Sequence, residues 1–300
     1  MVALLVKKLE LKDKKVCVIS RGYGRKSNKT IVVDNKKEYP LNEIGDEPFT
    51  LLREHPNLSM VISNNKIEAI NMAIDKLDIN VIILDDGFQS LYIKRDLDIV
   101  MTAPKGYCIN SITREPSSAL RRADAIIEKS IIKSGGDQNK FFCNLKLDNL
   151  LVPLFRAMGF FTLEDGLGVV IGEKKLGSMI GVCGIANPNS FKETLSPGGA
   201  MENIPVKKIL TYKDHHNYSE KDMQHIYKKM EKHDCKSIIT TTKDYYKLIK
   251  LNKENIKIYK LKFEFDLNLF EDAMLELNKE NNPSGGLLGQ LLDRAISNDP

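Results

Sequence analysis

Two adjacent carboxylates, Asp85 and Asp86, follow the apolar run Val81-Ile82-Ile83-Leu84 and are closed off by Gly87. Four consecutive apolar residues predict a strand buried on both faces, and in open α/β sheets ligands bind at the carboxyl ends of such strands. An acid pair there suits a Walker-B-like hold on Mg²⁺ against nucleotide phosphates, and it also suits a plain Asp-Asp-Gly turn. Three further polar clusters fall at or near strand ends. Ser20-Arg21-Gly22-Tyr23-Gly24-Arg25 offers glycines for close backbone approach and guanidiniums that fork onto phosphate oxygens, or else forms a basic turn. In Gly45-Asp46-Glu47-Pro48 the acids stand at a predicted helix start, where they also serve as cap and dipole compensation. In Asp214-His215-His216-Asn217-Tyr218 the adjacent histidines point in different directions and make a poor metal pair. One of them, presented at a domain junction, would act as acid, base or phosphate ligand; a surface loop is the alternative.

The elements that must position these clusters alternate between β and α. Met1 to Leu11 predicts a short helix with Val2, Leu5, Val6 and Leu9 on one face, followed by the strand Val16–Ser20. Residues 65–78 carry Ile67, Ile70, Ile74 and Leu77 at helical spacing and lead into the Val81 strand. Leu97–Thr102 predicts another buried strand, 119–124 the end of a helix, and 125–127 one more strand. This βα order predicts a doubly wound parallel sheet over residues 1–148, and a helix opening the chain predicts that its first strand is missing. Short alternating runs from about 140 to 180 predict hairpins, with a β-hairpin linker at 149–176. A second, smaller α/β domain is expected at 177–280, built on strands at 179–184, 206–211, 238–241 and 258–265, with Ser219 capping a helix Glu220–Lys232. Residues 281–300 read as a linker and a C-terminal helix.

Composition narrows the classes. With 42% hydrophobic and 28% charged residues the 300-residue chain is globular, and a net charge of +5 suits an anionic ligand or a membrane surface. No basic stretch interleaves with aromatics and Trp is absent, so no nucleic-acid partner is expected. Five scattered cysteines without a CxxC pair predict reduced thiols in a cytoplasmic protein rather than a disulfide frame or zinc site. The longest apolar run is far short of the ~20 residues that cross a bilayer, and no signal-peptide pattern opens the chain.

Taken in order, SRGYGR, GDEP, DDGFQ followed by KRDLDIV, REP with RRAD, GIANP, DHHNY and TTTKD resemble the tetraacyldisaccharide 4′-kinase family of lipid A biosynthesis, from residue 1 to about 265. The resemblance implies a P-loop-kinase-like α/β fold of two domains joined by a β-hairpin. It implies a peripheral enzyme at the cytoplasmic face of the bacterial inner membrane that uses ATP and Mg²⁺ to phosphorylate the 4′-hydroxyl of a lipid A disaccharide. It further implies Asp85 and Asp86 as metal residues, with Asp86 and Gln89 at the nucleotide. Asp46 is then the base for the sugar hydroxyl with Glu47 beside it, and His215 its partner from the second domain. Arg21, Gly22, Gly24 and Arg25 line the phosphate or substrate site. Phosphoryl transfer needs in-line positioning, charge neutralisation and a proton acceptor, and these groups supply them.

The chain departs from the family pattern twice. DDGFQ is followed by Ser90 where the family commonly has His, and no G-x-x-x-x-G-K-[ST] occurs in these residues. Family members carry that loop just ahead of the helix that here begins at Met1, so the sequence reads as starting after its own phosphate loop, by truncation or as a fragment rather than as a true pseudoenzyme. Weak ATP binding and little kinase activity are then expected of these residues alone. A non-catalytic glycolipid- or polyanion-binding remnant is the alternative from a different class, and a generic P-loop NTPase, which would not require GDEP and DHHNY together, is a third.

Overall fold

The computed structural model describes residues 1–33, 37–102, 117–131, 142–147, 150–165 and 176–265. It divides into two compact units, the described residues of the first falling within 1–131, 142–159 and 265, and those of the second within 160–264. Residues 166–175 of the expected hairpin linker, and the linker and C-terminal helix expected at 281–300, lie outside the described residues.

The first unit opens with α1 (Val2–Glu10), β1 (Val16–Ser20) and β2 (Ile31–Val33). It continues through α2 (Leu41–Ile44), α3 (Asp46–Glu54), β3 (Ser59–Ile62), α4 (Lys66–Lys76) and β4 (Val81–Leu84). These strands form a sheet in the order β2-β3-β1-β4, with β1 parallel to both β3 and β4 and β2 antiparallel at the edge. Every residue of β1 is buried, as a central strand covered on both faces requires. β2 and β3 were not singled out by the sequence.

Helix packing differs from the predicted faces. In α4 the residues against the sheet are Ala69 and Ala73, with Ile70 and Leu77 beside them, while Ile67 and Ile74 are 47% and 62% exposed. Alanines let the helix lie close to β1 and β3, which turns the outer isoleucines to solvent. In α1 it is Leu4, Val6 and Leu9 that are buried, whereas Val2 and Leu5 line a cleft.

Two parallel strands, β5 (Ile99–Thr102) and β6 (Ala125–Ile131), follow, with a 3₁₀ turn at Ser117–Arg122 in place of the expected α-helix end. β7 (Phe142–Leu147) and β8 (Leu150–Glu164) make an antiparallel hairpin, and β8 also pairs in parallel with β6. The hairpin belongs to the first unit, and β8 passes into the second at Gly159 to Phe160.

Among the described residues β4 pairs only with β1, and β5 only with β6. A cleft of about 740 Å³ lies along both strands and is lined by Val2 and Leu5 of α1 together with Val81, Ile83, Asp86 and Val100. β4 is therefore half-exposed along its length rather than buried on both faces.

The second unit has β9 (Met179–Cys183), α5 (Pro188–Leu195), β10 (Val206–Thr211), α6 (Glu220–Lys232), β11 (Ser237–Thr241), α7 (Thr242–Leu248) and β12 (Lys257–Phe265). Its parallel sheet runs β10-β9-β11-β12. Alternation along β9 sends Ile180 and Val182 into one core with Met223, Ile226 and Met230 of α6, and Met179 and Cys183 into another with Phe191 and Leu195 of α5. Ser219 caps α6 through a capping box with Asp222, an arrangement that stabilises a helix start by about 1 kcal/mol. Cys17, Cys183 and Cys235 are free and buried.

Candidate active site

In the first unit the glycine-arginine turn, the acid pair and the start of α3 meet at the carboxyl end of β1. The Ser20 hydroxyl donates to Asp85 Oδ2 at 3.1 Å and accepts from the Gly22 N–H at 3.4 Å, while the Asp85 N–H donates to the Ile19 carbonyl at 2.9 Å. The turn after β4 is thus tied to the end of β1. Gly22 and Gly45 explain how the other two segments come so close. A Cβ on Gly22, at φ +63°, would stand 2.4 Å from the Ile44 carbonyl oxygen; one on Gly45, at φ +92°, would stand 2.8 Å from Gly22 C and Tyr23 O. Backbone lies on backbone there, and only residues without side chains permit it.

That contact places Asp46 and Glu47 in the first turn of α3, with Asp46 buried. The Asp85 carboxyl is pushed above the usual aspartate range by burial, against the pull of the Ser20 hydroxyl, and the charges of Asp86 and Glu47 push the same way. Asp86 is exposed, with φ +51°, and Gln89 is exposed beyond it. Arg21, Tyr23 and Gly24 face solvent. Arg25 donates through Nη1 to the Lys29 carbonyl at 2.5 Å, yet its Nε and Nη2 are buried without a hydrogen-bond partner.

Two residues that the motif reading did not assign complete the cluster. Lys66, only 2% exposed at the first position of α4, donates from Nζ to the main-chain oxygens of both Asp85 and Asp86. Burial, then the Arg21 charge, lowers its pKa against the pull of the two acids. The signal was present in the sequence: a cation directly after the Asn65 cap opposes the helix dipole and needs another reason to be there. Arg95, in KRDLDIV, grips Asp98 through Nε and Nη2 at 2.6 and 3.0 Å and donates to the carbonyls of Ser90 and Ile93. Ser90 is buried in that turn, its N–H donating to the Gly87 carbonyl at 2.9 Å and its carbonyl accepting from Arg95, so it serves the main-chain geometry of DDGFQ.

His215 lies in the second unit, in the segment between β10 and α6. It sits at φ +54°, and its N–H donates to the Gly184 carbonyl at 3.1 Å. His216 stacks on Tyr212 with ring centroids 4.8 Å apart and reaches Asp222 at 3.3 Å. The His215 N–H is shared with Asp214 Oδ1 at 3.0 Å, and its Nε2 lies 3.8 Å from Asp214 Oδ2.

Among the described residues no three His, Cys, Asp or Glu side chains gather to hold a metal ion. Asp85 and Asp86 nevertheless fit Mg²⁺ in the way phosphoryl-transfer sites hold it, through one or two carboxylates with phosphate and water oxygens completing the shell. The burial-strained carboxyl of Asp85, beside two further acids, is a group that a cation would relieve.

Comparison with known proteins shows the family. The family model for tetraacyldisaccharide-1-P 4′-kinase matches residues 1–279. A tetraacyldisaccharide 4′-kinase of Aquifex aeolicus is 31% identical over 70% of this chain and 65% of its own length. That of Halothermothrix orenii is 29% identical over 93% and 79%, and that of Geobacter sulfurreducens 31% over 83% and 70%. The chain thus spans about two thirds to four fifths of these relatives, and just under two thirds of the Aquifex protein. The crystal structure of "apo" form LpxK from Aquifex aeolicus in complex with ATP matches with a TM-score of 0.65 at 25% identity, covering 98% of this chain and 83% of that one. The fold is accordingly the P-loop-kinase-like α/β fold, and the chain belongs to the tetraacyldisaccharide-1-P 4′-kinase family.

Proposed function

We propose that this protein is an ATP-dependent lipid kinase that phosphorylates the 4′-hydroxyl of a tetraacyldisaccharide 1-phosphate in lipid A biosynthesis. The observation that carries the proposal is the convergence of SRGYGR, GDEP and DDGFQ on the end of β1, with Gly22 against Gly45 and Ser20 against Asp85. Family membership gives these motifs their chemistry.

Asp46, buried at the start of α3, takes the proton of the attacking sugar hydroxyl, and Glu47 beside it keeps the site acidic. His215, in the second unit, is a further acid–base group of the reaction. Asp85 and Asp86 hold Mg²⁺, which neutralises phosphate charge when bound. Asp86 and Gln89 face the nucleotide, and Arg21 and Arg25, on a turn freed by Gly22 and Gly24, orient phosphate oxygens; the unpartnered Nε and Nη2 of Arg25 suit such an anion.

Asp85, Asp86 and Gln89 line the cleft along β4 and β5, where a nucleotide would meet them. Work at the cytoplasmic face of the inner membrane as a peripheral protein is consistent with the described residues, none of whose helices is long and apolar enough to cross a membrane. Leu91 and Tyr92, 67% and 68% exposed next to the acid turn, offer an apolar contact for acyl chains.

Disaccharide-dependent ATP consumption tests the proposal, using this chain and the same chain preceded by a strand and a G-x-x-x-x-G-K-[ST] loop. The extended protein is expected to turn over and the shorter one to be far weaker. An extended protein that folds but stays inactive sinks the kinase reading and leaves the non-catalytic glycolipid-binding alternative.

A further inference from the structure

TTTKD in the second unit has no role in the function proposed above, yet its acid is among the most buried charges of the protein. Asp244 is 0% exposed. Its Oδ2 accepts from the Gly184 N–H and from the Thr241 hydroxyl, each at 2.8 Å, while Oδ1 is buried without a partner. Gly184, from GIANP, is where the chain bearing His215 comes down. Its carbonyl accepts the His215 N–H at 3.1 Å, and a Cβ on it would meet the Lys213 carbonyl oxygen at 3.0 Å, the Tyr218 hydroxyl at 3.1 Å and His216 Cβ at 3.2 Å. One turn of α7 further on, Lys247 Nζ donates to the His216 carbonyl at 3.2 Å. The segment is therefore gripped on both sides of His215, and the residue in the grip has a left-handed backbone, at φ +54°. A non-glycine residue in that region stays there only when its surroundings over-determine it.

We propose that Asp244 and Lys247 are positioning residues for His215. Asp244 fixes the Cys183–Gly184 peptide through its N–H, the Gly184 carbonyl then fixes the His215 N–H, and Lys247 anchors the following carbonyl, so the imidazole leaves the backbone in one direction. The buried Tyr218 hydroxyl, beside the Asp244 carboxylate, closes the same cluster. The inference rests on the proposed participation of His215 in phosphoryl transfer only for its catalytic consequence, not for the mechanical one.

Two readouts separate these. Hydrogen exchange of the 212–218 segment in the full chain is expected to speed up ~10-fold or more in Lys247→Met and Asp244→Asn, with β9 and β11 still protected, and to return toward the parent rate in Lys247→Arg. In the N-terminally extended protein, kcat is expected to fall ~10- to 100-fold in both variants with KM little changed, as misplacement of a catalytic group predicts. Unchanged exchange in Lys247→Met overturns the proposal, even if Asp244→Asn does not fold. Faster exchange with unchanged kcat, while His215→Ala loses activity, overturns the catalytic part. If His215→Ala itself keeps full activity, it is the role of His215 that fails, and exchange still decides the positioning.

Discussion

Lys66 Nζ bridges the main-chain oxygens of Asp85 and Asp86 from beneath, so the turn that presents the two carboxylates rests on a buried cation. The ammonium satisfies main-chain acceptors while its charge lies under the acids, which lets two carboxylates share one turn. Lys66→Met keeps the bulk and loses both functions. Mg²⁺·ADP binding to the extended protein, followed by calorimetry, is expected to weaken ~10-fold or more, because hydrogen bonds from a charged group are each worth about 1.5–3 kcal/mol. Affinity equal to the parent's would show that the turn holds its shape without the cation.

Asp85 carries a stability cost that depends on pH. Its carboxyl titrates above the usual aspartate range in the folded protein, burial being the main cause, so the folded state binds that proton more tightly than the unfolded one. The protonated form contributes stability at acid pH, and that contribution is lost as pH rises through the raised folded value. Asp85→Asn is therefore expected to melt a few degrees above the parent at neutral pH without metal, a gap that closes toward pH 4. In the extended protein, Mg²⁺ with nucleotide should raise the melting temperature and do so far less when Asp85→Asn is added. Thermal scans across pH, with and without Mg²⁺, check both signs.

The fit of Gly45 against Gly22 makes a conservative change costly. Gly45→Ala forces a Cβ to within 2.8 Å of main-chain atoms at φ +92° and is expected to cost about 1–3 kcal/mol by urea denaturation. The same change moves Asp46, so kcat should drop more than stability alone explains. A neutral Gly45→Ala would mean that the two loops separate without penalty.

Asp46→Ala and His215→Ala in the extended protein are each expected to lower kcat by roughly 10²- to 10⁴-fold with modest change in KM, the range for removal of a general base or its support. Steady-state kinetics on both, and on the double variant, check this. Losses that multiply in the double variant would argue that the two side chains act independently.

Burial pushes the Cys17 thiol up to about 12 and the Cys183 thiol up to about 11, which leaves almost no thiolate at neutral pH. Peptide mapping after brief alkylation of the native protein is expected to find both unmodified, and both fully modified in denaturant. Rapid native modification of either would contradict the burial of β1 or β9.

The βα order and most element positions were legible in the sequence because long apolar runs and helix caps are local signals: β1, β10 and α6 fall where periodicity and Ser219 put them. The faces were less legible. Ile67 and Ile74 keep helical spacing yet face outward, since how closely a helix approaches a sheet depends on Ala69 and Ala73 rather than on the largest residues. Asp85, Asp46 and the SRGYGR turn could be named from motif order, but their meeting depends on the glycine contact at Gly22 and Gly45, which is tertiary. Lys66 and Arg95 escaped for the same reason: each acts through carbonyl oxygens, and a sequence displays no carbonyls. Ser90 stood out only as a missing imidazole, and its buried place in the turn became visible with the Arg95 contacts.

Among the described residues one side of β4 and one side of β5 pair with no strand, which bears on how this polypeptide behaves in solution. Such strand edges, with apolar flanks and lining one cleft, form an adhesive surface for any extended chain, including a second copy of the protein. Purified at high concentration, the polypeptide should be short-lived as a monomer, and a peptide that occupies the slot would act as a solubiliser before it acted as anything else.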